Sequence, residues 1–406
     1  MDVIEVVSDP PPPAYLTIPF DIESILPTES LSVVELLRYP FPNPFRTRDG
    51  AGAPLWSDSP PHNIDAACLL SCAVPRQKTV KRLLLDAQRL VSTPRSFSRA
   101  SVSSSELLPY RLPIWVLSFW DRLSEAYVTN LSWQRCLDWL NAPCARHPAN
   151  QRLVAEVDSL FHRVHWHGYL GGKRQDRHVN DIFGLLSNNE LDSGQISDLL
   201  ELIERRLADT LDNHYLIAST DLSTLVIHSH QNHEGHTYRK EPGQKLVEEK
   251  LVQRHRVAVA SIAWVPVGIC GHWIPYVVDP ITSTIYHGDS LGLHIPVDLR
   301  DSLVWWLCDL QRRMGEPPEP PSFKPIIVTG QEDGFSCGIL AANSLLHHLL
   351  PHKFPLVSND AVSIKECRIE QTIEILKLNV EPVCGFPNGC KCSDREIVPA
   401  PRRSGV

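Results

Sequence analysis

One turn-to-helix junction constrains this chain more than any other feature. Residues Thr329-Gly330-Gln331-Glu332-Asp333-Gly334-Phe335-Ser336-Cys337-Gly338 run directly into an apolar stretch, Ile339-Leu340-Ala341-Ala342-Asn343-Ser344-Leu345-Leu346. That stretch has helical length and spacing, which sets a lone cysteine at or beside a helix N-terminus. Unpaired backbone N–H groups and the helix dipole stabilise a thiolate there. Six residues upstream, Gln331 offers a side-chain amide of the kind that holds an oxyanion.

The residues before the junction read as a small sheet. Runs at 257–267, 273–279 and 283–287 have strand character, and the turn Asp279-Pro280 joins the second to the third. Residues 324–328 read as a further strand, and 214–218 and 223–228 as two short ones. Apolar periodicity predicts helices over 192–211, 297–314 and 358–378, besides the one that follows Cys337. Strands clustered in the middle with helices at both ends suggest an α+β domain over 181–380.

The first 180 residues have a different texture. Residues 1–62 are punctuated by prolines (Pro10 to Pro13, Pro40, Pro42, Pro44, Pro60, Pro61) and read as an extended or loosely packed arm. Residues 63–180 read as a helical accessory region. Val80, Leu83, Leu84 and Ala87 share one helical face, 113–120 opens a second helix, and 131–140 gives a third with Ser132 as its N-cap. Residues 96–105 form a serine-rich break. The stretch from Arg76 to Arg99 carries seven Lys/Arg against Asp86 alone. The favoured reading is the solvated face of an amphipathic helix, with contact to nucleic acid the weaker alternative.

Bulk properties limit the function classes. A formal charge of −8 over 406 residues argues against a nucleic-acid coat, and 43% hydrophobic with 21% charged residues is the balance of a folded soluble protein. No apolar window reaches the ~18 residues of a membrane span, and the opening Met-Asp-Val-Ile-Glu lacks the layout of a signal peptide. The expectation is an intracellular protein of nucleus or cytoplasm with its eleven cysteines mostly reduced.

A thiol nucleophile needs a base and a group that orients the base. His272, in Cys270-Gly271-His272-Trp273, falls at one end of a strand. Asp289, in Gly288-Asp289-Ser290-Leu291, lies just past the neighbouring strand. If those strands are antiparallel, both side chains emerge at the same end of the sheet. The order His272, Asp289, Gln331, Cys337, with a six-residue gap between the last two, resembles the ubiquitin-like-protein-specific cysteine proteases that process and remove SUMO and related modifiers. The resemblance covers residues 185–380.

That resemblance implies a papain-like fold, with a central sheet flanked by helices and the catalytic cysteine at a helix N-terminus. It makes Cys337 the nucleophile, His272 the general base, Asp289 the orienting carboxylate and Gln331 the oxyanion donor. Trp273 and Gly338 would contact the substrate, Trp273 lining a narrow channel for a Gly-Gly tail. It implies no cofactor and no metal, and a ubiquitin-like modifier with its conjugates as partner. The sequence departs from the pattern at one place. Where the family carries Trp-Leu-x-Asp, this chain has Glu190-Leu191-Asp192-Ser193, without the indole of the opposite wall. Two other readings fit the same residues: a thioester-forming acyltransferase on a related fold, and a non-catalytic modifier-binding module of mobile-element origin.

Other clusters are weaker. His228, His230, His233 and His236 are spaced like an exposed loop rather than a zinc site. His162, His165 and His167 surround Trp166 without ligand spacing. Cys384, Cys390 and Cys392 belong to a polar tail, 381–406, where metal binding with Cys367 is the lesser alternative. Cys68 and Cys72 fit neighbouring turns of one helix.

Overall fold

The computed structural model describes residues 14–41, 55–72, 74–89, 96–98, 111–142, 148–170, 177–210, 214–232 and 258–380. In chain order, α1 (Phe20–Glu23) and α2 (Val33–Leu37) come first. Strand β1 (Leu55–Ser57), helices α3 (Ala66–Ser71) and α4 (Gln77–Arg89), and strands β2 (Ser96–Ser98) and β3 (Leu112–Pro113) follow. Two longer helices come next, α5 (Trp115–Leu140) and α6 (Pro148–Phe161). After the short 3-10 helix Val179–Gly184 come α7 (Ser193–Ala208), β4 (Tyr215–Ile217), α8 (Asp221–Gln231), β5 (Ala258–Val267), β6 (Cys270–Asp279) and β7 (Thr284–His287). The chain continues through α9 (Val297–Arg313), β8 (Ser322–Pro325), α10 (Cys337–Leu349) and α11 (Ala361–Val380).

The larger sheet is mixed, in the order β4-β5-β6-β7-β8. The pairs β4/β5 and β7/β8 are parallel, and β5/β6 and β6/β7 antiparallel. Its central strands β5 and β6 are apolar over most of their length because helices cover both faces there, whereas edge strand β8 is exposed. Ala258, Ala260 and Ile262 pack in one core with α7 and α10. The alternate residues Val259, Ala263 and Val265 pack with Leu299, Leu303 and Trp306 of α9 and Val226 of α8. The period of two along β5 decides which helix layer each residue meets. The β5–β6 hairpin closes at Gly268, whose φ of +61° suits a residue without a Cβ.

Several elements differ from expectation. Residues 223–228 are helix, not strand, because Leu222 and Val226 meet the sheet one helical turn apart. The strand expected at 324–328 is displaced to Ser322–Pro325. The two helices expected around 113–140 are the single helix α5, and Ser132 lies inside it, donating to Val128 O at 3.1 Å. The accessory region is not purely helical: β1, β2 and β3 form a three-stranded antiparallel sheet, and β2 lies in the expected serine-rich break.

The described part of the proline-punctuated arm is packed, not loose. Leu16, Ile18, Ile22 and Leu26 belong to a core with α4 and α5. Val33, Val34 and Leu36 join the core that also holds α7, α10 and α11. Ser32 and Glu35 cap α2 reciprocally. Val33 N–H donates to Val164 O and Trp166 N–H to Leu31 O, each at 3.0 Å, and Asn130 Nδ2 donates to Leu36 O at 2.8 Å. Burying Val33 and Leu36 completely contributes about 1.5–3 kcal/mol each, which explains why a short helix stays docked. One continuous hydrophobic core thus spans the expected boundary near residue 180.

Candidate active site

The antiparallel register places His272 and Asp289. β6 starts at Cys270 and β7 ends at His287, so the start of one strand and the end of the other share an edge. His272 sits third in β6, opposite Val265, and Asp289 lies two residues past β7. His272 Nε2 and Asp289 Oδ1 are 3.0 Å apart, with the side chains 3% and 5% exposed. Asp289 Oδ1 also accepts from Leu291 N–H at 2.6 Å, which fixes the carboxylate against its own turn. With Nε2 facing Asp289, the Cys337 thiol is the second group that raises the same imidazole.

Electrostatics follow from that arrangement. Burial alone would push the His272 imidazole down. Hydrogen bonds and charge from Asp289 and Cys337 outweigh burial and raise it to about 9. Burial likewise pushes Asp289 up, but the His272 bond, the Leu291 N–H and the imidazolium charge hold it below the ordinary carboxylate range. The geometry therefore favours an imidazolium beside a carboxylate at neutral pH, the proton inventory a thiolate–imidazolium pair needs.

Cys337 is the first residue of α10 and is buried. Asp333 shapes the turn before it. Its Oδ1 accepts from Phe335 N–H at 2.9 Å and Ser336 N–H at 2.7 Å, and its Oδ2 accepts from Ser336 Oγ. With those N–H groups occupied by Asp333, the amides of the helix's first turn remain directed at the cysteine end. Beyond β8 the chain runs beside the residues after β7, and Gln331 N–H donates to Ser290 O at 2.8 Å. Gln331 Oε1 accepts from Ser290 Oγ at 3.0 Å, and Nε2 donates to Asp333 O at 2.6 Å. Asp333 Oδ1 also accepts from the same nitrogen at 3.5 Å, so Asp333 holds the Gln331 amide from two sides.

Trp273 and Gly338 have structural duties that the sequence did not disclose. Trp273 is 5% exposed, and its Nε1 donates to Leu191 O at 2.7 Å. A Cβ on Gly338 would lie 2.8 Å from Ile196 Cδ1 and 3.1 Å from Leu191 Cβ, so glycine lets α10 approach α7 closely. Glu190-Leu191-Asp192-Ser193 forms the entrance to α7. Asp192 caps the helix by accepting from Gln195 N–H at 2.8 Å, Leu191 is buried beside Gly338, and Glu190 is exposed.

Sequence reasoning missed Arg368 of α11. Its side chain is wholly buried and donates to Phe335 O, two residues before Cys337. A signal was present: Ile364, Arg368 and Thr372 recur at helical spacing on a buried stripe, a place where arginine is rare.

The remaining candidates do not assemble. His228 and His230 lie on α8, where His230 Nδ1 is 3.1 Å from Ser302 Oγ and the ring stacks on Trp305. His233 and His236, and the tail cysteines Cys384, Cys390 and Cys392, lie outside the described residues. His162 is 3.9 Å from Asp158, and His167 is 3.9 Å from Glu29. Cys367 is buried in α11, and burial pushes its thiol up to about 12. Among the described residues, no cluster of three His, Cys, Asp or Glu side chains is placed to hold a metal, and no helix is long and apolar enough to cross a membrane.

No protein-family model matches this chain, and no curated protein matches it. Solved structures of similar outline include the SUMO protease Ulp1 with its catalytic cysteine oxidized to a sulfenic acid. It shows 13% identity over 58% of this chain and 97% of the other, with a TM-score of 0.39. The C-terminal Ulp1 protease domain in complex with Smt3, the yeast orthologue of SUMO, shows 16% identity over 57% and 96%, at 0.40. The Chlamydia trachomatis effector protein ChlaDUB1 shows 15% identity over 50% and 90%, at 0.31. A likeness this distant leaves the chemistry to the site's own geometry.

Proposed function

We propose that this protein is an intracellular thiol protease or isopeptidase, acting in nucleus or cytoplasm, that cleaves after the C-terminal Gly-Gly of a SUMO-type ubiquitin-like modifier. The observation that carries the reading is His272 buried against Asp289, its Nε2 3.0 Å from Oδ1, with the Cys337 thiol among the groups that raise its imidazole. The Cys337 thiolate attacks the terminal glycine carbonyl. His272 holds the thiol proton and passes it to the leaving amine, and the resulting thioester is hydrolysed by water deprotonated by the same imidazole. The Gln331 side-chain amide, turning from its contacts with Asp333, and the backbone N–H of Cys337 stabilise the oxyanion. Asp289 keeps its charge throughout and orients the imidazole.

The substrate class follows from access. Cys337 is 3% exposed and His272 2%, with Trp273 beside them at 5%. Only a chain segment without side chains brings a carbonyl to so enclosed a sulfur, and a Gly-Gly terminus is such a segment. The test is covalent labelling with propargylamide derivatives of SUMO and of ubiquitin, read by mass spectrometry at Cys337. SUMO-type modification at Cys337, lost in Cys337→Ala, is expected. If neither probe reacts while a control enzyme is labelled, the assignment fails.

A further inference from the structure

A wholly buried arginine is costly unless its donors are matched. Arg368 meets that condition in an unusual way: its terminal nitrogens donate to four backbone carbonyls. One donates to Gly184 O and Ser187 O, both at 2.9 Å, and the other to Asn189 O and Phe335 O, both at 3.0 Å. Its Nε is buried without a partner, and its guanidinium carbon lies 5.6 Å from the centre of the Phe335 ring. Three of the carbonyls belong to the turn leading into Leu191, and the fourth to the turn leading into Cys337. The segments it joins are the ones that flank the thiol. Leu191 accepts from the Trp273 indole and packs beside Gly338, and Phe335 is bonded through its N–H to Asp333.

We infer that Arg368 is a positioning residue for Cys337: its guanidinium clamps the 184–189 turn to the 335–337 turn and presents a buried positive charge to the thiolate. The fork geometry suits the first task, since planar, splayed donors reach carbonyls from two loops at once, which an ammonium does not. The second follows from charge count. All four hydrogen bonds go to neutral carbonyls, and the carboxylate that acts on the guanidinium, Asp333, is not bonded to it and is already engaged by Phe335 N–H and Ser336 N–H. Burial lowers the guanidinium to about 10, opposed by Asp333, Cys367 and Cys337, which keeps it protonated at neutral pH. The inference rests on the reading of Cys337 as the nucleophile, and its test needs no modifier.

The test is the pH dependence of iodoacetamide alkylation at Cys337 in the full chain, resolved by mass spectrometry. Exposed Cys270 in the same sample serves as the reference thiol. Arg368→Gln removes the charge, and its Cys337 midpoint is expected to rise by about one pH unit while the Cys270 profile stays in place. Arg368→Gln loses the clamp as well as the charge, so the charge is assigned only where the midpoint moves in Arg368→Gln and not in Arg368→Lys. Arg368→Lys keeps the charge and loses the fork. Its midpoint should stay near that of wild type, while peptides covering 184–189 and 334–338 exchange amide hydrogens at least tenfold faster. A cooperatively folding Arg368→Gln with an unmoved midpoint overturns the inference. If Arg368→Gln does not fold, Arg368→Lys decides, and wild-type exchange in both peptides overturns the clamp. Failure of modifier labelling with these shifts intact would count against the proposed substrate and not against Arg368.

Discussion

Replacing Asp289 by asparagine separates the charge of the acceptor from its position. The Asn oxygen still accepts from His272 Nε2–H and from Leu291 N–H, which contact Asp289 Oδ1 at 3.0 and 2.6 Å. Ring orientation and tautomer are therefore kept while the negative charge is lost. His272 is raised from its ordinary 6.5 to about 9, which stabilises the imidazolium by about 3 kcal/mol. Burial opposes that rise, so Asp289 and Cys337 together supply more than the net figure. An equal division gives Asp289 at least ~1.5 kcal/mol, or about one pH unit.

The alkaline limb of kcat/KM reports loss of the imidazolium that protonates the leaving amine. It should lie near 9 in the wild type and about one unit lower in Asp289→Asn. Stability carries the same sign. A histidine raised by folding contributes its full stabilisation below its ordinary 6.5 and loses it as pH climbs through about 9. The wild-type Tm should therefore fall across that window more steeply than the variant's. The assay is hydrolysis of a fluorogenic amide at the C-terminus of a SUMO-type modifier from pH 5 to 10, with Tm recorded in the same buffers. A folded Asp289→Asn whose alkaline limb and Tm profile coincide with wild type would show that the Asp289 charge does not act on His272.

Two further substitutions probe the enclosure of the thiol. Gly338→Ala places a methyl 2.8 Å from Ile196 Cδ1 and 3.1 Å from Leu191 Cβ, which should cost about 1–3 kcal/mol in urea unfolding. Adding Ile196→Val removes the nearer atom and should recover part of the loss, and wild-type stability in Gly338→Ala alone would refute the close approach of α10 to α7. Trp273→Phe removes the donor to Leu191 O and leaves that carbonyl unpaired, a loss of about 1–3 kcal/mol. The same change should narrow the rate difference between modifiers ending in Gly-Gly and in Ala-Gly. An unchanged difference would mean the indole does not wall the tail channel.

Legibility divided along a physical line. The meeting of His272 with Asp289 and the place of Cys337 at a helix start were readable because those three stand near strand ends or a helix start that local periodicity marks, and antiparallel pairing of β6 with β7 brings the first two to one edge. The stretch 223–228 was not readable as helix, since a short apolar run carries no length to separate the two periods. Residues 14–37 were misjudged for another reason. Proline count reports lost backbone donors, whereas docking here depends on Val33, Leu36 and their bonds to Val164 and Asn130, 94 or more positions away. Prolines at such places do not weaken packing; Pro19 directly precedes α1 and serves as its N-cap.

Arg368 shows where the same limit touches chemistry. Helical phase placed it on the buried stripe of α11, and a buried cation calls for partners. A sequence search for partners looks for carboxylates, because those are the residues that announce a charge. The partners here are backbone carbonyls of Gly184, Ser187, Asn189 and Phe335, and a carbonyl belongs to every residue alike. The information that identifies them lies in the conformation of two turns, neither of which exists until α7, α10 and α11 have packed. A buried arginine without an acidic partner in phase is therefore a pointer to two loops that must be held together, and in this fold one of them leads into Cys337.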